Sequence, residues 1–445
     1  MQIIAFYAQK YLYLHDKRNK CMDKRVLENV LTDQRIELQR SSRKPICTRR
    51  EEEMVDLNSP QAQVVIGIRR SGKSTLCLNV LRRSGVHFAY VNFDDERFLD
   101  LKGADLNDVL EVLYKIYGDF EHLFIDEIQN IAEWYLFVNR LLRQGMHVLI
   151  TGSNAKLLSG ELATHLTGRH HAIALYPFSF AEYCHYMGVD TASNSTRAIA
   201  ARRAAFDSYM QQGGFPEIYA TSNPHDYIAG LVNDILQRDI EQRFRIQHIT
   251  AFEQLSQHLL NVAPAIVADN RLKDLFGIKS EHTIKNYITY LKQAYLLEVL
   301  LRYSPKSRLR LTGGKVYPVD VALMDNRSDA FAGENMGWRL ETIVAIALIR
   351  RARQQHLDVY YYSERTSECD FVVCRNRTVV QAIQVSYDIQ KPKTLKRELR
   401  GLVTVAHKTR CENLLLLTDS HHENLEMEGF RIAIRPAHEW LTGDE

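Results

Sequence analysis

The chain has 445 residues, of which 45% are apolar, 25% charged and 9% aromatic, so it has the composition of a globular protein with a sizeable core. This length predicts about two to four domains. The formal charge of +3 is too small to indicate nucleic-acid binding by the chain as a whole, so any basic surface must be local.

Hydropathy and cysteine usage argue against a membrane-spanning protein and against a secreted one. We find no stretch that approaches the roughly 18 apolar residues of a membrane span, and the first ten residues have too short an apolar run for a signal peptide. The seven cysteines include no C-x-x-C pair, a pattern that favours reduced thiols. We therefore expect a soluble cytoplasmic protein with no membrane partner.

Residues 1–55 differ in character from the rest of the chain. The apolar positions of a charged helical pattern are Val26, Leu27, Val30, Leu31, Ile36 and Leu38. This pattern ends at a polar run over residues 40–45, and the charged run at 49–53 is expected to lie in solvent. We interpret the segment as a helical flank packed on the next domain, with a partner-binding arm as the alternative.

Residues 67–75 read GIRRSGKST and fit the pattern G-x-x-x-x-G-K-[ST] of a phosphate-binding P-loop. A β-branched run at 62–66 predicts a buried strand before the loop, and an apolar run at 76–81 predicts a helix after it. Lys73 would reach the β- and γ-phosphates of ATP, and the Ser74 hydroxyl would bind Mg²⁺. The residues expected to contact the nucleotide are Gly67, Arg69, Arg70, Ser71, Gly72, Lys73, Ser74 and Thr75.

Residues 122–127, HLFIDE, predict an apolar strand that ends in two carboxylates. Asp126 is expected to hold the Mg²⁺ ion through its water shell, and Glu127 to orient and deprotonate the attacking water. A helix is predicted over 128–144, and another strand over 146–151.

Polar residues follow that strand, where ligands of open α/β sheets bind. Of Ser153 and Asn154, we assign the role of γ-phosphate sensor to Asn154; the alternative is a turn in which asparagine caps the next helix. Arg169 is a candidate arginine finger, in its own chain or in a neighbouring subunit, and the alternative is a solvated or paired arginine. A strand over 172–176 and a long helix over 226–245, which contains Asp239, complete this domain.

The chain contains, in order, the motifs GIRRSGKST, FDDERF, LFIDEIQN, LITGSNAKLLS, LTGRH, YPFSFAEY and GGFPE. Their order and spacing resemble the prokaryotic AAA-like ATPases of the STAND/MNS type. The resemblance runs from about residue 55 to the end of the chain. It implies ATP and Mg²⁺ as ligands, and a winged helix and a restriction-endonuclease-like domain at the C-terminus, without specifying a substrate.

Residues 250–325 predict a winged helix from their own pattern. Short helical patterns precede a predicted N-cap at Ser280, and predicted strands at 295–300 and 315–320 flank a basic wing. The recognition helix would enter the DNA major groove and the wing would contact phosphates, while the alternative is protein contact or domain packing. The basic residues of the segment are Lys279, Lys285, Lys292, Arg302, Lys306, Arg308 and Arg310.

Residues 330–445 predict a further α/β domain that resembles the PD-(D/E)XK nuclease core. In that core a helix glutamate, a strand aspartate and an E-x-K motif bind Mg²⁺ and activate water. Glu341 and Asp370 match, but the third position reads Gln384-Val385-Ser386. Glutamine offers the metal no charge and serine supplies no ammonium. We therefore predict a degenerate site, in a fold retained for binding or packing.

The sequence thus predicts an α/β protein in four parts. These are an N-terminal helical extension (1–55), an AAA-like P-loop ATPase domain with a parallel sheet and helices on both faces (56–245), a winged helix (246–328) and a small PD-(D/E)XK-like domain (329–445). We expect Mg²⁺-dependent ATP hydrolysis to switch the C-terminal parts, which contact DNA or a protein partner, in a monomer or an oligomer. The alternatives are a DNA-processing or defence nuclease powered by ATP, and a scaffold that binds ATP without turnover.

Overall fold

The computed structural model describes residues 22–41, 47–152, 165–166, 168–304, 306, 313–325, 335–365 and 367–443. The chain divides into two compact units, the first of Met1–Ile66 with Lys73–Ala174 and the second of Gly67–Gly72 with Leu175–Glu445. Among the described residues, no helix is both long enough and apolar enough to cross a membrane. The division into four parts remains a prediction.

The first unit is built on a parallel sheet. Its strands are β1 (Ala62–Ile66), β2 (Phe88–Asn92), β3 (His122–Asp126), β4 (His147–Gly152) and β5 (His170–Ala174). Within the described residues their order is β2-β3-β4-β1-β5, with every neighbouring pair parallel. β1 is buried along its whole length, as in a sheet covered on both faces. The predicted parallel α/β sheet is confirmed, although β5 begins two residues before the predicted strand.

The helices of this unit are α1 (Lys24–Ser41), α2 (Lys73–Ser84), α3 (Leu106–Tyr117) and α4 (Trp134–Arg143). α1 packs against β2 and α3 as the predicted helical flank, with Leu27, Val30 and Leu31 buried. The predicted helix over 128–144 is wrong in its first turns. Glu127 and Glu133 have left-handed backbone conformations, so the chain forms a 3₁₀ turn at Ile128–Asn130 before α4 begins.

The charged run at 49–53 does not lie in solvent as expected. It forms a 3₁₀ helix at Arg50–Met54, in which Glu51 and Glu52 are buried. Glu52 accepts hydrogen bonds from Asn79 Nδ2 at 2.6 Å and from Arg83 Nη1 at 3.1 Å, both on α2. The run therefore fixes the N-terminal segment to the helix that comes after the P-loop.

The second unit contains a series of helices and one extended sheet. Its helices are α5 (Phe180–Met187), α6 (Thr196–Gln212), α7 (Pro224–Asp234), α8 (Ile249–Asn261), α9 (Asp269–Leu275), α10 (Glu281–Gln293), α11 (Met336–Gln355), α12 (Pro392–Thr409) and α13 (Ala437–Thr442). The predicted helix over 226–245 is not uniform, because a π-helix at Ile235–Glu241 follows α7 before a final α-helical turn.

The strands of the second unit form one mixed sheet. They are β6 (Ala265–Ile266), β7 (Leu297–Arg302), β8 (Lys315–Pro318), β9 (Asp358–Glu364), β10 (Ser367–Arg375), β11 (Thr378–Val385), β12 (Leu414–Thr418), β13 (Glu423–Met427) and β14 (Phe430–Pro436). Their order in the part of the chain that is described is β13-β14-β12-β11-β10-β9-β7-β8-β6. β7 pairs in parallel with β9. The strands on either side of residue 328, where the winged helix was predicted to end, therefore belong to one sheet.

Candidate nucleotide-binding site

The P-loop has a backbone conformation that few residues can adopt. Gly67, Arg70 and Gly72 all have positive φ angles, of 152°, 67° and 93°. A Cβ atom at Gly67 would lie 2.0 Å from the carbonyl oxygen of Leu175. Position 67 therefore requires glycine, both for its torsion angle and for this close approach.

The helix after the loop starts at Lys73, whose side chain is buried. The first backbone N–H groups of any helix lack partners within the helix, and the helix dipole adds partial positive charge there. A lysine and a helix N-terminus directly after a glycine-rich loop form an anion site suited to phosphate.

A buried carboxylate lies next to this helix start. Ser74 Oγ donates a hydrogen bond to Asp126 Oδ1 at 2.9 Å, Thr151 Oγ1 donates to the same oxygen, and Tyr90 OH donates to Oδ2 at 3.4 Å. Burial raises the pKa of Asp126 to about 6; the Thr151 hydrogen bond opposes this shift and the Glu127 charge adds to it. Hydroxyl and carboxylate oxygens are ligands that Mg²⁺ prefers, so these residues fit the ion.

Glu127 follows Asp126 in a left-handed conformation, with φ of 52°. Its backbone N–H donates to Thr151 Oγ1 at 3.3 Å, and its carboxylate accepts a hydrogen bond from Gln129 Nε2. The first contact restrains the backbone of Glu127 and the second its carboxylate. A restrained glutamate beside an aspartate that fits Mg²⁺ is suited to the role of general base.

The strand order explains why these groups meet. β4 pairs with β1 on one side and with β3 on the other, so the carboxyl ends of the three strands are adjacent. Thr151, near the end of β4, was not predicted as a site residue. The sequence feature that could have indicated its role is a hydroxyl residue at the end of the strand beside β3, which ends in Asp126.

Two other residues were predicted to take part in catalysis. Asn154 lies outside the described residues. Arg169 is exposed and precedes β5, where its carbonyl oxygen accepts a hydrogen bond from Ala62 N at 2.9 Å. Because β5 runs parallel to β1, Arg169 lies at the end of the sheet where β1 begins. The P-loop begins at the opposite end, where β1 finishes.

The two arginines of the P-loop, which belong to the second unit, contact carboxylates of that same unit. Arg69 donates from Nε and Nη2 to Asp239, at 3.3 and 3.1 Å. Arg70 Nη1 donates to Glu217 at 3.1 Å, in a pair that is largely exposed. Both arginines were expected to contact the nucleotide, and their acidic partners were not predicted.

A second cluster of charges surrounds Lys315 on β8. Its ammonium lies 2.7 Å from Glu341, 3.1 Å from Asp370 and 3.4 Å from Glu368. Burial by itself would lower the pKa of Lys315, but the surrounding carboxylates and Tyr317 outweigh it, so the net pKa is well above its usual value. The cluster therefore contains the ammonium group that sequence analysis found missing at Ser386.

Gln384, the predicted third member of the degenerate nuclease site, lies beside Asp370. Its side-chain oxygen accepts from Asp370 N at 3.1 Å, and its amide donates to Glu398 at 2.8 Å. The structure thus brings Glu341, Asp370 and Gln384 into one buried region. Among the described residues, no three His, Cys, Asp or Glu side chains are arranged to hold a metal ion.

Two family models match parts of the chain: residues 59–184 match an AAA domain, and residues 203–332 match a domain of unknown function, DUF8612. An uncharacterized protein of Methanocaldococcus jannaschii is 29% identical over 377 residues, which cover 83% of each chain. An uncharacterized protein of Haemophilus influenzae is 28% identical over 385 residues, which cover 83% of this chain and 92% of the relative.

Solved structures of the Thermotoga maritima RuvB Holliday junction branch migration motor overlap weakly with the chain. One has a TM-score of 0.25 at 16% identity and covers 55% of this chain and 82% of its own. Another has a TM-score of 0.27, also at 16% identity, and covers 62% and 89%. The AAA match and the parallel sheet, with its P-loop after β1, identify an AAA-type P-loop domain of α/β fold.

Proposed function

We propose that the chain binds ATP with Mg²⁺ and hydrolyses it at the site formed by the P-loop and the ends of β3 and β4. The observation that carries this proposal is the 2.9 Å hydrogen bond between Ser74 and Asp126. These are the two side chains predicted to hold Mg²⁺; Ser74 lies in the first turn of α2 and Asp126 ends β3. The AAA domain match over residues 59–184 supports the same function.

Each side chain has a defined part in this proposal. Ser74 and Asp126 would hold Mg²⁺, which when bound would supply charge neutralisation at the phosphates. The Lys73 ammonium binds the same phosphates, and backbone N–H groups of the P-loop surround them. Glu127, restrained by Gln129, accepts a proton from the attacking water.

Two further residues belong to the proposal. Asn154 would sense the γ-phosphate from the segment after β4. Arg169 would act as an arginine finger from a neighbouring subunit, because its position opposite to the P-loop does not favour a role in its own chain. This role requires an oligomer.

Hydrolysis would drive a conformational switch in the C-terminal parts. We propose a winged helix at 246–328 because α8, β6, α9, α10, β7 and β8 follow the order expected for that fold, with β6, β8 and β7 antiparallel. Ser280 Oγ accepts a hydrogen bond from Thr283 N at 3.2 Å, as the predicted N-cap of α10. This module would contact DNA through its basic residues, or else a protein partner.

One observation favours the alternative of an ATP-powered nuclease. Lys315 supplies an ammonium beside Glu341 and Asp370, the two residues that match the PD-(D/E)XK pattern. The same ammonium, however, already pairs with both carboxylates, and Gln384 keeps the third position uncharged. Cleavage of duplex DNA in Mg²⁺ and ATP that is lost on Glu341→Gln would support this alternative.

Replacing Lys73 with alanine tests the proposed nucleotide site. We expect the dissociation constant for MgATP, measured by titration calorimetry, to rise about 30-fold, because a charge-assisted contact to phosphate worth about 2 kcal/mol is lost. Lys115→Ala is the matched control, since Lys115 is an exposed lysine of the same unit that pairs with Glu28. Equal affinities of the Lys73→Ala and wild-type proteins would contradict the proposal.

A further inference from the structure

The contact between Arg69 and Asp239 connects the P-loop to a helix that the proposed chemistry does not use. Arg69 lies between the two glycines of the loop, and its guanidinium binds both carboxylate oxygens of Asp239. Asp239 is 3% exposed. Two hydrogen bonds to one buried carboxylate fix the orientation of the guanidinium group as well as its distance from the carboxylate.

The backbone around Asp239 is unusual. Asp239 lies in the π-helix at Ile235–Glu241, where Ile235, Leu236 and Ile240 are buried beside it. π-Helical turns are rare and occur frequently at functional sites. The buried apolar side chains hold this turn in place, so its carboxylate presents a fixed anchor to the loop.

The neighbouring ion pair provides an internal comparison. Arg70, the next residue of the loop, pairs with Glu217 at 3.1 Å, but the two side chains are 57% and 47% exposed. An exposed pair contributes little because water and salt screen it. The Arg69 and Asp239 side chains are 27% and 4% exposed, so of these two pairs the Arg69 pair is the better shielded from water, and loss of one partner would leave a buried charge unpaired.

We infer that Asp239 is a positioning residue of the nucleotide site. By holding Arg69 at two points, it holds the P-loop in the shape that binds phosphate, and it couples the bound nucleotide to the π-helix at Ile235–Glu241. This inference rests on the proposed binding of MgATP. It adds a residue far from the P-loop in sequence, on the helical segment that precedes the proposed winged helix.

A double-mutant cycle tests this coupling. The dissociation constant for MgATP is measured by calorimetry for the wild type, Asp239→Asn, Arg69→Gln and the double variant. We expect each single variant to bind about tenfold more weakly and the double variant also about tenfold, because either change removes the same contact. Glu217→Gln is the matched control and should stay within about twofold of the wild type.

Further readouts separate positioning from loss of fold. Asp239→Glu keeps the charge and should recover most of the affinity, while Asp239→Asn should raise the KM for ATP and leave kcat within about twofold. Circular dichroism identifies any variant that fails to fold. If Asp239→Asn or Arg69→Gln does not fold, the affinities of Asp239→Glu and Arg69→Lys for MgATP are compared instead, because Arg69→Lys keeps the charge but loses the two-point contact.

The outcomes distinguish the inference from the proposed function. If the wild type binds MgATP and Asp239→Asn binds equally well, the inference is wrong and the proposed function stands. A double variant about 100-fold weaker than the wild type would show two independent effects and would also overturn the inference. If the wild type does not bind MgATP, the proposed function itself fails.

Discussion

Replacing Glu127 with glutamine is expected to lower ATP turnover by about 10²–10⁴-fold, the usual contribution of a general base. The amide has nearly the same shape as the carboxylate but cannot accept the proton of the attacking water. Because Lys73, Ser74 and Asp126 are unchanged, the affinity for MgATP should stay within about threefold of the wild type. Phosphate release and calorimetric titration of the same preparation measure both quantities.

Glu133→Gln is the matched control for this experiment. Glu133 also has a left-handed backbone, with φ of 58°, and lies in the same segment as Glu127, but its side chain is exposed. Its turnover should equal that of the wild type. A Glu127→Gln protein that hydrolyses ATP at the wild-type rate would exclude Glu127 as the base, and a wild type without turnover would favour the scaffold alternative.

Replacing Lys315 with methionine is expected to destabilise the second unit by about 3–5 kcal/mol. The change leaves the buried Asp370 and the largely buried Glu341 without the ammonium that lies 3.1 and 2.7 Å from them. Urea unfolding monitored by tryptophan fluorescence measures the loss, since Trp338 and Trp440 both belong to this unit. The unfolding midpoint should move to a markedly lower urea concentration.

Two further variants make this expectation specific to charge. Adding Glu341→Gln and Asp370→Asn to Lys315→Met removes the uncompensated carboxylates and should recover most of the lost stability. Lys285→Met removes an exposed lysine that lies 3.6 Å from Asp269, and should change stability by less than about 0.5 kcal/mol. An unchanged midpoint for Lys315→Met would show that the ammonium does not stabilise the cluster.

Features encoded within a few consecutive residues were predictable from the sequence. The P-loop is one, because its glycines, lysine and serine occupy fixed positions in an eight-residue pattern that begins after a strand and ends in the first turn of a helix. The Ser280 cap is another, since a serine before a helical pattern has a local partner in the N–H group three residues on. Both are determined by neighbouring residues.

Features that depend on distant residues could not be predicted. Lys315 approaches Asp370 only because β7 pairs with β9 and joins two groups of strands into one sheet. Asp239 contacts Arg69 across 170 positions of the chain, from a π-helical segment that the apolar pattern did not indicate. The left-handed conformations of Glu127 and Glu133 could not be predicted either, because glutamate rarely adopts positive φ and the apolar pattern favoured a continuous helix.

We propose that this chain hydrolyses ATP at the site of Lys73, Ser74, Asp126 and Glu127. The most direct test is steady-state phosphate release by the purified protein with excess ATP, in Mg²⁺ and after removal of Mg²⁺ with EDTA, beside Lys73→Ala purified identically. We predict turnover in Mg²⁺ that EDTA abolishes and that Lys73→Ala lacks. Phosphate release at the same rate in the wild-type and Lys73→Ala proteins, or none in either, would contradict the claim.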